Sequence, residues 1–396
     1  MPTLLEDSQA VRSPVARLER RAELDWLRVI GIFWVFLVHT AQVFSPWQVW
    51  HIQDAGRAPV FGQINLFAWP WLMPLFMLLA GIGAQMALQR RTTGEYWRDR
   101  TLRLVLPFVI GTLILIPPQL YVERIAQGRY NGGYFDFYPQ FFDCCYPDGN
   151  LAAGHLWFVA YLWVYAIAAI PLFRFLASAR GQPVVNALFA SFRVRFGIFW
   201  PILPFALSQI ALRANYPQTL TLIDDWANHA MLFPVYVAGF LLVLDPRMAA
   251  LVDRAWRGAI ILAVPAAAWL AVYVANSRVP GILPLGGTRD YFVFWGLFGV
   301  AGWCWLLVLF GFARRFLRRN FAALQYLSRN VYALYMLHQT VIVVIAFVLV
   351  QWSLPIAVKF GALLVLAFLT TLGLTSLLAQ WRPARLALGL SALRSN

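Results

Sequence analysis

Charge is what this 396-residue sequence has least of: only 12% is Asp, Glu, Lys or Arg, where soluble domains carry about 25%. That shortage excludes a division into two or three soluble domains, and it excludes disorder as well. Lysine is almost missing, Lys359 being the single one among 32 basic residues. Cysteine is scarce too, with 3 in all. Cys144 and Cys145 are neighbours and Cys304 stands alone in an apolar run, so no disulfide framework or zinc-type spacing exists. The adjacent pair reads as free thiols, because a bridge between neighbours is strained. No P-loop string, glycine-rich dinucleotide fingerprint or repeat of fixed period is present, which removes those nucleotide-binding classes and the solenoids. Acidic residues number 17, leaving a formal charge of +15. In a soluble chain that excess would suggest nucleic acid, so the placement of the basic residues has to decide.

What is abundant is apolar. Hydrophobic residues make up 61% of the chain, with 18 Trp, 15 Tyr and 31 Phe, and the mean hydropathy is +0.65. Runs of about 20 apolar residues, enough to cross about 30 Å of hydrocarbon, fall near 26–45, 66–89, 102–121, 155–176, 196–212, 228–245, 257–275, 291–312, 329–350 and 356–380. This predicts an all-α polytopic integral membrane protein of about ten transmembrane helices. Pro70, Pro74, Pro117 and Pro118 predict kinks in the second and third spans. With the N-terminus placed inside, most arginines gather in the terminal segments and even-numbered loops, so both termini are expected in the cytoplasm. The same placement explains the net charge through anionic membrane lipids, with no nucleic acid needed. The expected organisation is a cytoplasmic segment over 1–25, a membrane domain over 26–380 and a cytoplasmic tail over 381–396. Residues 1–25 are too hydrophilic for a secretory signal, so the first span is expected to stay in the mature protein.

Ionisable groups at membrane depth are functional candidates by default, because hydrocarbon penalises them. Arg28 and His39 are eleven residues apart, which puts them within about 20° of one helix face and about 16 Å apart along the axis. His39 therefore lies near mid-bilayer above an arginine at the rim. His338 reaches a similar depth, about 13 Å beyond Arg329, with Tyr335 and Tyr332 at successive three-residue steps before it. The alternative for both histidines is a purely structural bond between helices. YWRDRTLRLVLP places Arg100 and Arg103 on one face with Arg98 a turn away, a set of forks suited to phosphate. Ordinary anchoring at the membrane interface is the competing reading there. GHLWFVAYLWVY opens the fourth span with His155 and Trp157 at the opposite interface, where an aromatic belt or a sugar platform fits. His51 and His229 have no supporting pattern. Asp136, Asp143, Asp224 and Asp225 read as solvated loop charge.

Four of these strings together resemble the acyltransferase-3 family of membrane O-acyltransferases. LDWLRVIGIFWVFLVHT, with Arg28 and His39, resembles its first-span signature; RDRTLRLVLP resembles its Arg-x-x-Arg pattern before a proline; GHLWFV resembles its His-x-Trp segment; and VYALYMLHQTV resembles its late Tyr-x-x-Tyr segment ending in His338. The matches run from Leu24 to Val341. The HQT ending and the lack of an appended hydrolase domain resemble the branch that acylates periplasmic glucans. Two positions depart: Ala80 precedes Gly81 where members often have Ser-Gly, and Val331 stands where members often have Ser. Each departure removes a hydroxyl from a polar pocket.

The resemblance implies transfer of an acyl group, acetyl or succinyl, from cytoplasmic acyl-CoA to a hydroxyl of a carbohydrate or related acceptor outside the bacterial inner membrane. Arg28, Arg98, Arg100 and Arg103 would hold the donor phosphates. His39 would act as general base or carry the acyl group itself. His338 and Tyr335 would polarise the thioester carbonyl or orient His39, and His155 and Trp157 would line the acceptor side. No cofactor beyond acyl-CoA as co-substrate, and no metal, is expected. The rival classes are a proton-coupled small-solute transporter, disfavoured because no inverted repeat is visible, and a non-catalytic acyl translocator.

Overall fold

Hydrocarbon offers no partner for a free peptide group, so a chain this apolar satisfies its backbone within helices. The computed structural model describes residues 21–276, 284 and 286–390, and among them every long regular element is a helix. Most of the N-terminal segment expected over 1–25 and the end of the 381–396 tail lie outside the described residues.

Helix α1 spans Ala22–Phe44. Two shorter helices, α2 (Pro59–Ala68) and α3 (Leu72–Leu88), are separated at Pro70 and form one span of 30 residues. Helices α4 (Thr93–Ile114) and α5 (Ile116–Ala126) form the next, divided just before Pro117 and Pro118. α4 begins nine residues ahead of the apolar run because Thr92 and Glu95 close a capping box: the Glu95 N–H donates to Thr92 Oγ1 at 3.3 Å and the Thr92 N–H to Glu95 Oε2 at 2.8 Å. That extension puts the arginine cluster on helix.

Helices α6 (Trp157–Ala168) and α7 (Ile170–Leu176) meet at 50°. α8 (Gln182–Arg193) and α9 (Ile202–Leu212) belong to a pair bent by 108°, with Phe196 in the left-handed region at φ 64°. The fifth expected span, 196–212, is therefore one limb of a sharply bent pair and not a straight crossing. The remaining spans are α10 (Trp226–Leu244), α11 (Pro246–Asn276), α12 (Arg289–Phe316), α13 (Ala322–Leu349) and α14 (Ile356–Leu378). The described residues thus give 8 spans, or 10 when each bent pair is one crossing.

α1 lies at the centre, against α2, α3, α12, α13 and α14. α3 and α10 approach until their backbones touch: a Cβ on Gly81 would sit 1.9 Å from the Tyr236 carbonyl oxygen, and one on Gly239 would sit 2.0 Å from that of Leu78. Small residues of this kind let membrane helices pack on dispersion alone.

The loop after α1 is tied down. Its Asp54 and Ala58 N–H groups donate to Val43 and Phe44 carbonyls at 2.9 and 3.0 Å. Lys359 Nζ donates to Asp54 Oδ2 at 2.6 Å, with both side chains buried. The lone lysine is therefore a structural ion-pair partner. Lys359→Met leaves a buried carboxylate without its counter-charge, and removing one partner of such a pair costs about 3–5 kcal/mol. Thermal unfolding in detergent is expected to show that loss, with much of it restored in Lys359→Met/Asp54→Leu.

Two loop expectations change. The sulfurs of Cys144 and Cys145 are joined, where free thiols were expected. Asp136, Asp143 and Asp224 are exposed as solvated charge should be, but Asp225 is fully buried. It accepts from Tyr161 Oη at 2.7 Å and Asn228 Nδ2 at 2.8 Å. Asn228 Oδ1 in turn accepts from Arg213 at 2.8 Å, whose guanidinium burial pulls down to about 10. A carboxylate this well bonded no longer needs water. His229 joins the same region, donating through Nε2 to the Leu222 carbonyl at 3.0 Å and accepting from Tyr165 Oη at 2.6 Å.

Candidate active site

Three histidines from three parts of the chain meet at the centre of the bundle. The His39 and His338 rings stand edge to face with centroids 4.7 Å apart, and His155 meets His338 in the same manner at 5.0 Å. Hydrogen bonds fix the protonation of each ring, since a carbonyl oxygen only accepts and the nitrogen bonded to it must carry the hydrogen. His39 Nδ1 donates to the Val35 carbonyl at 2.9 Å, His338 Nδ1 to that of Tyr335 at 2.5 Å, and His155 Nε2 to that of Met336 at 2.9 Å. The lone pairs therefore lie on His39 Nε2, His338 Nε2 and His155 Nδ1, and the last two are buried without a hydrogen-bond partner. His338 and His155 are sealed, whereas His39 keeps accessible surface. That difference marks His39 as the ring a reactant can reach.

Tyr335 is tied to the same trio. Its hydroxyl donates to the His155 backbone carbonyl, so it holds His155 in place. His155 itself sits against His338. The 3-10 turn Gly154–Leu156, with Gly154 at φ 50°, turns it inward. Trp157 packs on Phe158 and Tyr161 at 5.9 and 5.0 Å.

At the arginine end the side chains are engaged one by one. Arg28 bonds Asp25 at 3.1 Å, and Asp25 also accepts from Ser328 at 2.6 Å, which couples α1 to α13. Arg103 pairs with Asp99 at 2.9 Å, as does Arg91 at 2.6 Å. Arg100 reaches the Gly83 carbonyl at 3.4 Å and lies over the Tyr96 ring at 5.2 Å, with its Nε buried and unpartnered. Arg98 is exposed. The hydroxyls of Tyr332, Thr371 and Thr375 are also buried without partners. Such atoms are rare unless something polar meets them.

A second polar cluster adjoins the trio. The ring of Trp50 has its centroid 6.2 Å from that of His39 and 5.3 Å from that of His51. His51 Nδ1 donates to Glu123, and Gln339 Nε2 donates to His51 Nε2 at 3.1 Å. The amide of Gln339 also donates to Gln119 Oε1 at 3.0 Å. Sequence reasoning left His51 unassigned and passed over Glu123, Gln119 and Gln339. The one signal available was that Gln339 follows His338 directly. An apolar cavity of about 390 Å³ lies elsewhere, bounded by residues such as Leu78, Pro234 and Trp303, and none of the histidines or arginines above lines it.

Comparison with known proteins agrees with the geometry. The acyltransferase-3 model, described as an acyltransferase domain, matches residues 21–380. Glucans biosynthesis protein C of Escherichia coli O6:K15:H31 (strain 536 / UPEC) is 22% identical over 327 residues, covering 79% of this chain and 78% of its own length. Glucans biosynthesis protein C of Escherichia coli (strain K12) is 21% identical with the same coverage.

Proposed function

Because this chain belongs to the acyltransferase-3 family and is an integral membrane acyltransferase of the bacterial inner-membrane type, we propose that it moves an acyl group, acetyl or succinyl, from cytoplasmic acyl-CoA to a carbohydrate hydroxyl at the opposite face. The observation that carries this reading is the reachable Nε2 lone pair of His39 inside a bundle whose other two central imidazoles are sealed. An imidazole with an open lone pair can attack a thioester carbonyl and carry the acyl group, or draw on a proton in the transition state. His338 and His155 hold the reacting centre from behind, and Tyr335 fixes His155. A glucan as acceptor rests on the name of the E. coli relatives.

The donor side follows from charge. Arg28, Arg100 and Arg103 offer guanidinium forks to CoA phosphates, with Arg98 at the exposed rim. Asp99 must release Arg103 as the phosphates arrive. The unpartnered hydroxyls of Tyr332, Thr371 and Thr375 suit the amides of a pantetheine arm on its way to His39. No resident cofactor enters this scheme. Both termini then face the cytoplasm, with lipid headgroups around the remaining interfacial arginines.

The test is thiol release from several acyl-CoAs by purified protein, with and without a glucan oligosaccharide. Acceptor-dependent thiol release supports the reading; solute uptake into proteoliposomes with no thioester consumed replaces it with transport. Arg100→Ala and Arg103→Ala are each expected to weaken CoA binding by about tenfold, the scale of one charge-assisted bond. Equilibrium binding of CoA in detergent checks this, and unchanged affinity removes the arginines from the donor site.

A further inference from the structure

Acyl transfer to a hydroxyl must dispose of one proton, and the histidine trio is a poor place to leave it. Each of its three rings is held by a backbone carbonyl, and among the described residues none is hydrogen-bonded to a carboxylate. A proton landing there becomes an unpaired charge in an apolar setting. His51 is different. Its Nδ1–H is held by the Glu123 carboxylate, with the two side chains 12% and 2% exposed, so protonation at Nε2 gives an imidazolium with its counter-ion in place. Orientation of an imidazole by a buried carboxylate is the arrangement that stabilises a transient imidazolium in hydrolase triads.

The pair is rigidly supplied from both sides. Gln127 Nε2 donates to Glu123 Oε1 at 3.1 Å, and Arg124 Nη1 lies 3.6 Å from the same oxygen. Arg124 also binds Asn150 Oδ1 at 2.8 Å and the Pro147 and Gly149 carbonyls at 2.8 and 2.7 Å, which joins α5 to the 143–150 loop. The Tyr146 phenol, raised by partial desolvation and by the neighbouring Glu123 carboxylate, stays protonated. Opposite Glu123, His51 Nε2 accepts from the amide of Gln339. Gln339 also donates to Gln119, so it can give up the His51 bond without being stranded. His51 is within electrostatic reach of His39 and His155, and the Trp50 ring lies against both His39 and His51.

We propose that His51, positioned by Glu123, is the base that takes the proton of the acceptor hydroxyl, at a site flanked by the Trp50 ring and the reachable edge of His39. The inference rests on the acyltransferase reading above and adds a catalytic residue to it. In the step, the hydroxyl O–H bond breaks and its proton passes to His51 Nε2. The oxygen forms a bond to the acyl carbon, and the bond from that carbon to its leaving atom breaks with the electron pair going to the leaving group. Where the leaving group is CoA, the thiolate departs toward the arginines and takes a proton from water, while His51 returns its own to water at the acceptor face.

Hydroxylamine separates this role from a structural one, because it attacks thioesters near neutral pH without help from a base. Full-length wild-type protein, His51→Gln and Glu123→Gln are assayed with acetyl-CoA against a glucan oligosaccharide and against hydroxylamine, with the uncatalysed rate subtracted. Transfer to the sugar is expected to fall at least 100-fold in His51→Gln and at least tenfold in Glu123→Gln, while transfer to hydroxylamine stays within about threefold of wild type. Unchanged sugar transfer in His51→Gln overturns the proposal. So does a parallel fall with both acceptors, which marks the pair as structural. A wild-type protein that consumes no thioester with either acceptor overturns the acyltransferase reading instead, and the two failures are distinct.

Discussion

Replacing His39 by alanine is expected to lower thioester consumption by about 10³- to 10⁴-fold while leaving the melting temperature in detergent nearly unchanged. The size follows from the proposed role: a ring that carries the acyl group is needed in every turnover, and loss of a positioned catalytic side chain costs about 10² to 10⁴ in rate. The lack of a stability effect follows from the bonding. The His39 ring is hydrogen-bonded to the Val35 carbonyl, four residues back on α1, and that oxygen stands in the helical ladder opposite the His39 N–H. Deleting the ring strands no buried hydrogen-bond partner, which keeps the cost at the low end for single substitutions, about 0.5 kcal/mol. His338→Ala is the contrast. It empties a fully buried position, where deletion of a large side chain costs about 2–5 kcal/mol, so activity and stability are expected to fall together. A His39→Ala protein that releases thiol at the wild-type rate removes His39 from the chemistry, whatever the fold resemblance implies.

How much of the site is legible in the sequence depends on how far its geometry is local. Arg28 and His39 lie on one helix, so helical periodicity alone places them, and α1 runs unbroken through both. The same holds for Tyr335 and His338 on α13. His155 is legible as a candidate but not in its role, because its inward turn is set by a glycine at positive φ and its partner Met336 is 181 residues away. His51 is illegible for the same reason in stronger form. Its meaning comes from Glu123 and Gln339, 72 and 288 residues distant, and no period or spacing connects them. Asp225 shows the converse error: a loop carboxylate reads as solvated by composition, yet Tyr161 and Asn228 bring it inside. In the fold, hydropathy finds the spans and misses the 108° bend, which is a backbone event at Phe196 and leaves no trace in apolar content.

Gly81→Ala is expected to be the most destabilising single-methyl change in the described structure, and Gly83→Ala on the same helix to be neutral or mildly stabilising. A methyl at Gly81 would sit 1.9 Å from the Tyr236 carbonyl oxygen, whereas one at Gly83 meets nothing within 4 Å. The obstacle at Gly81 is backbone, which has no rotamer by which to retreat, so α3 and α10 must move apart. That movement also separates Gly239 from Leu78 and strains the Tyr96–Tyr236 contact of 3.3 Å. Overpacking commonly costs about 1–3 kcal/mol, and a backbone clash along a helix crossing belongs at or beyond the upper end. At Gly83 the helix gains the propensity of alanine, about 1 kcal/mol at an exposed helical position. Thermal unfolding of both variants in one detergent checks the contrast, and equal melting temperatures would mean that the crossing is not as close as described. The consequence reaches the chemistry, because Gly83 supplies the carbonyl that Arg100 grips and Gly81 sits between that carbonyl and the body of α3. A helix displaced at Gly81 carries the Arg100 anchor with it. Gly81→Ala protein that still folds is therefore expected to bind CoA more weakly, while Gly83→Ala binds as wild type does. Gly81, the residue after Ala80 where the family's Ser-Gly pattern falls, thus acts through helix packing: its hydrogen lets two backbones meet and so sets the position of Arg100.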